Sequence, residues 1–122
     1  MWRALLPAAF LAAAGPAGAS ERQMAEAVAA WRAGDFASAE RLLRPLARSG
    51  DAAAETLLGV AAARGLTGEP DPAVAAAWYF RAARRGFRPA QLALADAYRR
   101  GEGLPRDEAK AAALERAANG GP

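Results

Sequence analysis

The chain has 122 residues, a formal net charge of +3, 53% hydrophobic residues by type, and neither cysteine nor histidine. The absent cysteines exclude a disulfide framework, a thiolate nucleophile and a sulfur-built zinc site, and the absent histidines exclude the usual general base, imidazole metal ligand and pH switch. Alanine fills 38 positions, against 13 leucines, 3 valines and no isoleucine, which favours helices over strands in one small domain.

In chain order the first element is an address. Met1-Trp2-Arg3 supplies one positive charge, and Ala4 to Ala14 carry no charged or polar side chain. The small residues Gly15-Pro16-Ala17-Gly18-Ala19 follow, and then charge returns at Ser20-Glu21-Arg22. A basic start, a short apolar core and an Ala-x-Ala exit predict a signal peptide over 1–19, cleaved between Ala19 and Ser20. The competing reading is a membrane anchor, but eleven helical residues rise only about 17 Å against roughly 30 Å of hydrocarbon. The mature chain, 20–122, is then expected in the periplasm or outside the cell, with a formal charge of +2.

The remainder repeats at an interval of 36 residues, and internal periodicity decides fold before anything else does. Gly50 falls on Gly86, Ala54 on Ala90, Leu58 on Leu94 and Gly65 on Gly101. Ala39, Leu42, Leu43, Leu46 and Ala47 fall on Ala75, Trp78, Tyr79, Ala82 and Ala83, and their spacing is one apolar stripe of a helix. The expected units are an opening one (20–50), a repeat at 51–86 and a second at 87–121. Each reads as two helices: about 21–33 with 36–48, 52–64 with 72–85, and 89–100 with 107–118.

Start and stop signals fit these bounds. Ser20 and Gln23 read as a capping box, and Asp35, Asp51, Asp71 and Asp107 as single caps. Pro72 and Pro89 suit first turns, while Gly34, Gly50, Gly65, Gly86 and Gly101 sit where a left-handed residue ends a helix. Pro45 falls inside a helix and removes one backbone bond, so a kink is expected there. Trp78, Tyr79, Phe80 and the leucines are expected to give bulk to an alanine-rich core. The fold class is therefore all-α: an α/α solenoid of about three helix-turn-helix units.

Sites for chemistry are sparse. Glu102 with Asp107, and Glu69 with Asp71, flank loops as caps and solvated turns rather than as acid/base pairs. Gly65-Leu66-Thr67-Gly68 and Gly101-Glu102-Gly103 follow no strand and lack the lysine and hydroxyl of a nucleotide loop. No serine or threonine has a histidine to activate it. The chain is therefore expected to be no enzyme, with no cofactor and no metal. Arg81, Arg84, Arg85 and Arg88 form the densest basic cluster; they read either as helix-end arginines or as a dock for an acidic surface. A nearly neutral exported chain makes nucleic acid an unexpected partner.

These residues resemble the Sel1-like repeats, relatives of the tetratricopeptide repeats. Ala54, Leu58, Gly59, Gly65, Trp78, Tyr79, Ala82, Ala83 and Gly86 match one unit. Ala90, Leu94, Tyr98, Gly101, Gly103, Asp107, Lys110, Ala111, Ala117 and Ala118 match the next. The opening Trp31-Arg32-Ala33-Gly34-Asp35-Phe36 is similar to a tetratricopeptide turn. Ala62 departs from the pattern in lacking an aromatic ring, and Leu114-Glu115 replace Trp-Tyr, as expected for a terminal cap.

The resemblance implies a non-catalytic adaptor or scaffold that binds a protein or peptide along the solenoid, here in the cell envelope. Its alternatives are β-lactam binding or hydrolysis, as in cysteine-rich exported members, and a structural subunit of a larger envelope assembly. Oligomeric state is left open. Glu55, Gln91 and Arg99, first-helix positions outside the packing stripe, are the expected partner-binding residues; Glu55 and Gln91 are 36 apart and hence equivalent.

Overall fold

The structure is a computed structural model that describes residues 18–121. The expected leader, 1–19, lies outside the described residues save for its last two positions.

Six helices follow one another, and the described residues contain no strand. Helix α1 covers residues 18–32, and α2 Phe36–Arg48 completes the opening pair. The middle pair is α3 (Ala52–Arg64) with α4 (Pro72–Arg84), and the closing pair is α5 (Arg88–Arg100) with α6 (Glu108–Ala118). Asp35, Asp51, Asp71 and Asp107 each accept the backbone N–H three residues on, at 3.0–3.2 Å, so four helices begin where a carboxylate meets an orphan amide. Helix α5 begins differently. It starts at Arg88, one residue before the expected position, with Phe87 in the cap place and no side-chain bond.

Ser20 does not cap α1. Gly18 and Ala19 are already helical, so the amides that a serine would cap are inside the ladder. Helix α2 runs on across the exposed Pro45 and buries Ala39, Leu43, Leu46 and Ala47 on the opposite side.

The two long inter-helix loops share one frame. Gly65 and Gly101 end their helices at φ 65° and 67°. Leu66 and Glu102 then donate back to Ala61 and Ala97, both at 3.0 Å. Asp71 and Asp107 donate to Ala62 and Tyr98 at 2.8 and 2.9 Å. A left-handed residue is cheap only for glycine, which is why the repeat interval holds there.

The core repeats with the same interval. One cluster holds Leu43, Leu46, Ala47, Ala54 and Leu58 with Ala27 of α1; the other holds Tyr79, Ala82, Ala83, Ala90 and Leu94 with Ala75. Each of the first five named residues lies 36 before its partner in the second set. Bulk is distributed otherwise than expected: Tyr79 is buried, Trp78 only partly, and Phe80 is 48% exposed. A helix in a stack faces neighbours on part of its circumference only, so three consecutive aromatics, about 100° apart, cannot all point inward.

Each helix packs on the next from α2 to α6, and α3 also meets α5 directly, while α2 with α4 and α4 with α6 make at most slight contact. The helices thus form two layers, with the first helix of each unit on the closer-packed side and the second helix on the more open one.

Candidate functional site

Two openings on the more open side have volumes of about 300 Å³ each. The first lies between α2 and α4 over α3; Arg44, Leu58, Ala62, Val74 and Trp78 are among its walls. The second lies between α4 and α6 over α5, with Phe80, Leu94, Tyr98, Lys110 and Leu114. Those five pairs are all 36 residues apart, so the two grooves are one feature built twice. Their chemistry differs. The first carries the Glu40–Arg44 pair (2.6 Å) at its edge and the loop carboxylates Glu69 and Asp71 at its end. The second is apolar, with Lys110 Nζ 5.5 Å from the Tyr98 ring centroid as its basic edge. On the other side of the stack, between α3 and α5 over α4, the opening is only about 130 Å³ and is walled largely by alanines.

Between the two grooves stands an ionic cluster. The Glu55 side chain is completely buried. Arg85 Nε donates to Glu55 Oε1 at 2.8 Å, and Arg81 Nε lies 3.3 Å from Oε2. This hydrogen bond and the adjoining negative charge push the Arg85 guanidinium above its ordinary value. Arg81 stacks over Trp78 and Arg84 over Phe80, with ring centroids at 5.1 and 5.8 Å. Arg81, Arg84 and Arg85 line an opening of about 300 Å³.

The expected binding residues are placed as follows. Glu55 and Gln91 do sit at equivalent points, but both are buried, 0% and 9% exposed, and the Glu55 carboxylate is already paired with Arg81 and Arg85. The physical reason is that α3 is enclosed by α2, α4 and α5, and α5 by α3, α4 and α6, so a position outside one apolar stripe still faces a neighbour. Arg99 is partly exposed and occupied: its Nε donates to Glu108 Oε1 at 2.8 Å and its Nη1 to Glu115 Oε1. The two carboxylates hold its guanidinium well above the ordinary value. These contacts join α5 to the first turn and the later part of α6. Residues on the second helices, Phe80, Lys110 and Leu114, are among those that line the second groove. The signal for them in sequence is the same 36-residue comparison, applied to polar and aromatic positions as well as to the stripe.

Among the described residues no group of three acidic side chains is arranged to hold a metal, and no helix is long and apolar enough to cross a membrane.

The fold defines a class, the all-α repeat proteins built from stacked helix pairs. No protein-family sequence model matches the chain, and no curated protein matches it. Among solved structures, a Sel1 repeat protein from Oxalobacter formigenes is 27% identical with a TM-score of 0.74, over 78% of this chain and 39% of that one. A protective antigen of uropathogenic Escherichia coli strains, displaying an SLR fold, is 27% identical with a TM-score of 0.76, over 83% of this chain and 22% of that one. The chain thus spans well under half the length of either. Its architecture is that of the Sel1-like repeat solenoids, as the residue pattern predicts.

Proposed function

We propose that the chain is an exported, non-catalytic scaffold that holds a partner protein by laying a segment of it across the outer grooves. The observation that carries the reading is the recurrence of one groove in two successive units, each about 300 Å³ and floored by a first helix. Repeated openings at a fixed interval suit an extended chain, whose side chains also recur at a fixed rise. The basic start, apolar run and Ala-x-Ala exit of the first 19 residues support export.

A photo-reactive side chain at Ala113, in the second groove, is expected to give discrete protein adducts in envelope fractions of producing cells. The same side chain at the exposed Arg116 is the control and is expected to give few. Equal labelling from both positions removes the groove from the reading. The mass of the protein recovered from the periplasm tests the leader; a chain beginning at Ser20 is expected, and a full-length chain in the cytosol overturns export.

A further inference from the structure

Glu55 and its arginines do more than close the gap between two helices. One buried carboxylate meets the Nε edges of two guanidiniums, Arg81 and Arg85, and Arg84 is stacked beside them on Phe80. Among the described residues, Glu55 is the only carboxylate within 4.0 Å of any of the three. Three positive charges therefore share one negative charge, and the surplus is concentrated on an opening of about 300 Å³. The cluster is held in place before any partner arrives: Glu55 is fully buried, and the rings of Trp78 and Phe80 support Arg81 and Arg84. Stacked, planar guanidiniums present their outer N–H edges to a carboxylate, and little rotamer freedom is left to lose.

The cluster is also continuous with the second groove, because Phe80 both carries Arg84 and forms a groove wall. We propose that the end of α4 is a docking point for an acidic segment of a partner protein, whose carboxylates pair with Arg81, Arg84 and Arg85 while a neighbouring apolar side chain enters the groove over Leu94 and Tyr98. This deepens the scaffold reading and rests on it, adding the partner's chemistry. A protein segment fits better than a membrane surface. The cationic groups converge on one opening rather than spreading over a face, and the adjoining apolar groove is an open trough of about 300 Å³ between two helices. The closing unit has no such cluster: positions 36 after Arg81, Arg84 and Arg85 are Ala117, Gly120 and Gly121.

The test is fluorescence anisotropy of the full chain with a labelled synthetic peptide of alternating Glu and Phe, against the same peptide with Gln for Glu. Arg84→Glu leaves the Glu55 pairs intact, and Arg41→Glu makes the same charge change away from the cluster. The expected result is binding of the acidic peptide that weakens with salt, falls at least about tenfold in Arg84→Glu, and changes less than about twofold in Arg41→Glu. Circular dichroism checks that each variant is folded.

Equal loss in both variants overturns the proposal, because net charge alone then governs binding. Equal binding of the neutral peptide, unaffected by Arg84→Glu, also overturns it while leaving groove docking in place. Preference for phosphatidylglycerol vesicles over the peptide overturns it in favour of a membrane surface. Failure of the acidic peptide to bind at about 1 mM overturns it as well, and the adducts from Ala113 then judge the broader scaffold reading separately.

Discussion

The middle and closing units share a backbone frame and fill it differently. In the middle unit, α3 brings Gly59 against the ring of Tyr79 on α4, so closely that a Cβ on Gly59 would lie 2.5 Å from Cε1 and 2.7 Å from Cδ1. The equivalent positions in the closing unit are Ala95 and Glu115. There the side chain opposite is a carboxylate that turns outward to Arg99, and the helix keeps its methyl group. The ionic residues change as a set too. Glu55 with Arg81 and Arg85 becomes Gln91 with Ala117 and Gly121. Where the buried acid is an amide, both arginines are gone. A repeat frame fixed by caps and turn glycines thus leaves the inter-helix contents free to vary, provided each set stays internally matched.

The largest effect expected from this contrast is at the ring. Tyr79→Ala removes the largest side chain of the second core cluster and should cost about 3–5 kcal/mol in chemical denaturation, the range for emptying a buried aromatic. Glu115→Ala, at the equivalent place, should change stability by no more than about 0.5 kcal/mol. Equal losses would mean that the two units are packed alike.

Next comes the ionic set. Arg81→Ala with Arg85→Ala leaves Glu55 buried without a partner, whereas Glu55→Gln leaves two guanidiniums that are about half exposed and can hydrate. The double variant is expected to be much the less stable of the two. Adding Glu55→Gln to it should recover a large part of the loss, since the closing unit already works with a neutral set. If the triple variant is no better than the double, the arginines act through their packed stems rather than through the carboxylate.

The glycine follows. Gly59→Ala forces the Tyr79 ring or α3 to shift and should cost about 1–3 kcal/mol despite alanine's better helix propensity. Combining it with Tyr79→Leu should cost less than the sum of the two changes, because the clash disappears with the ring. Strict additivity would show that the ring and the glycine do not meet.

Much of this frame was legible in the sequence. Four aspartate caps, the turn glycines and the 36-residue interval are local or periodic signals, and they placed five helices to within a residue or so. The contents were less legible. Glu55 meets its arginines across 26 and 30 positions, a pairing created by the stacking of two helices, which no local pattern encodes. The exposure of Phe80 and the burial of Gln91 likewise depend on which neighbours enclose each helix. The substitution of the charged set by a neutral one at equivalent positions was present in the sequence, and it marks the place where the two units diverge in chemistry.

The smallest effect is one of pH, and it again separates the two units. Burial raises the Tyr79 phenol above its ordinary value of 10.0, outweighing the opposite pull of Arg64. The folded state therefore holds the phenolic proton more tightly than the unfolded chain does. The stability so linked is fully present below about pH 10 and is lost as pH rises through the folded value. Tyr79→Phe removes this dependence without emptying the core. Its denaturation midpoint should fall less than that of the parent chain above pH 10. Parallel curves for the two chains would place the Tyr79 hydroxyl in water and separate the ring's packing against Gly59 from any burial of its polar end.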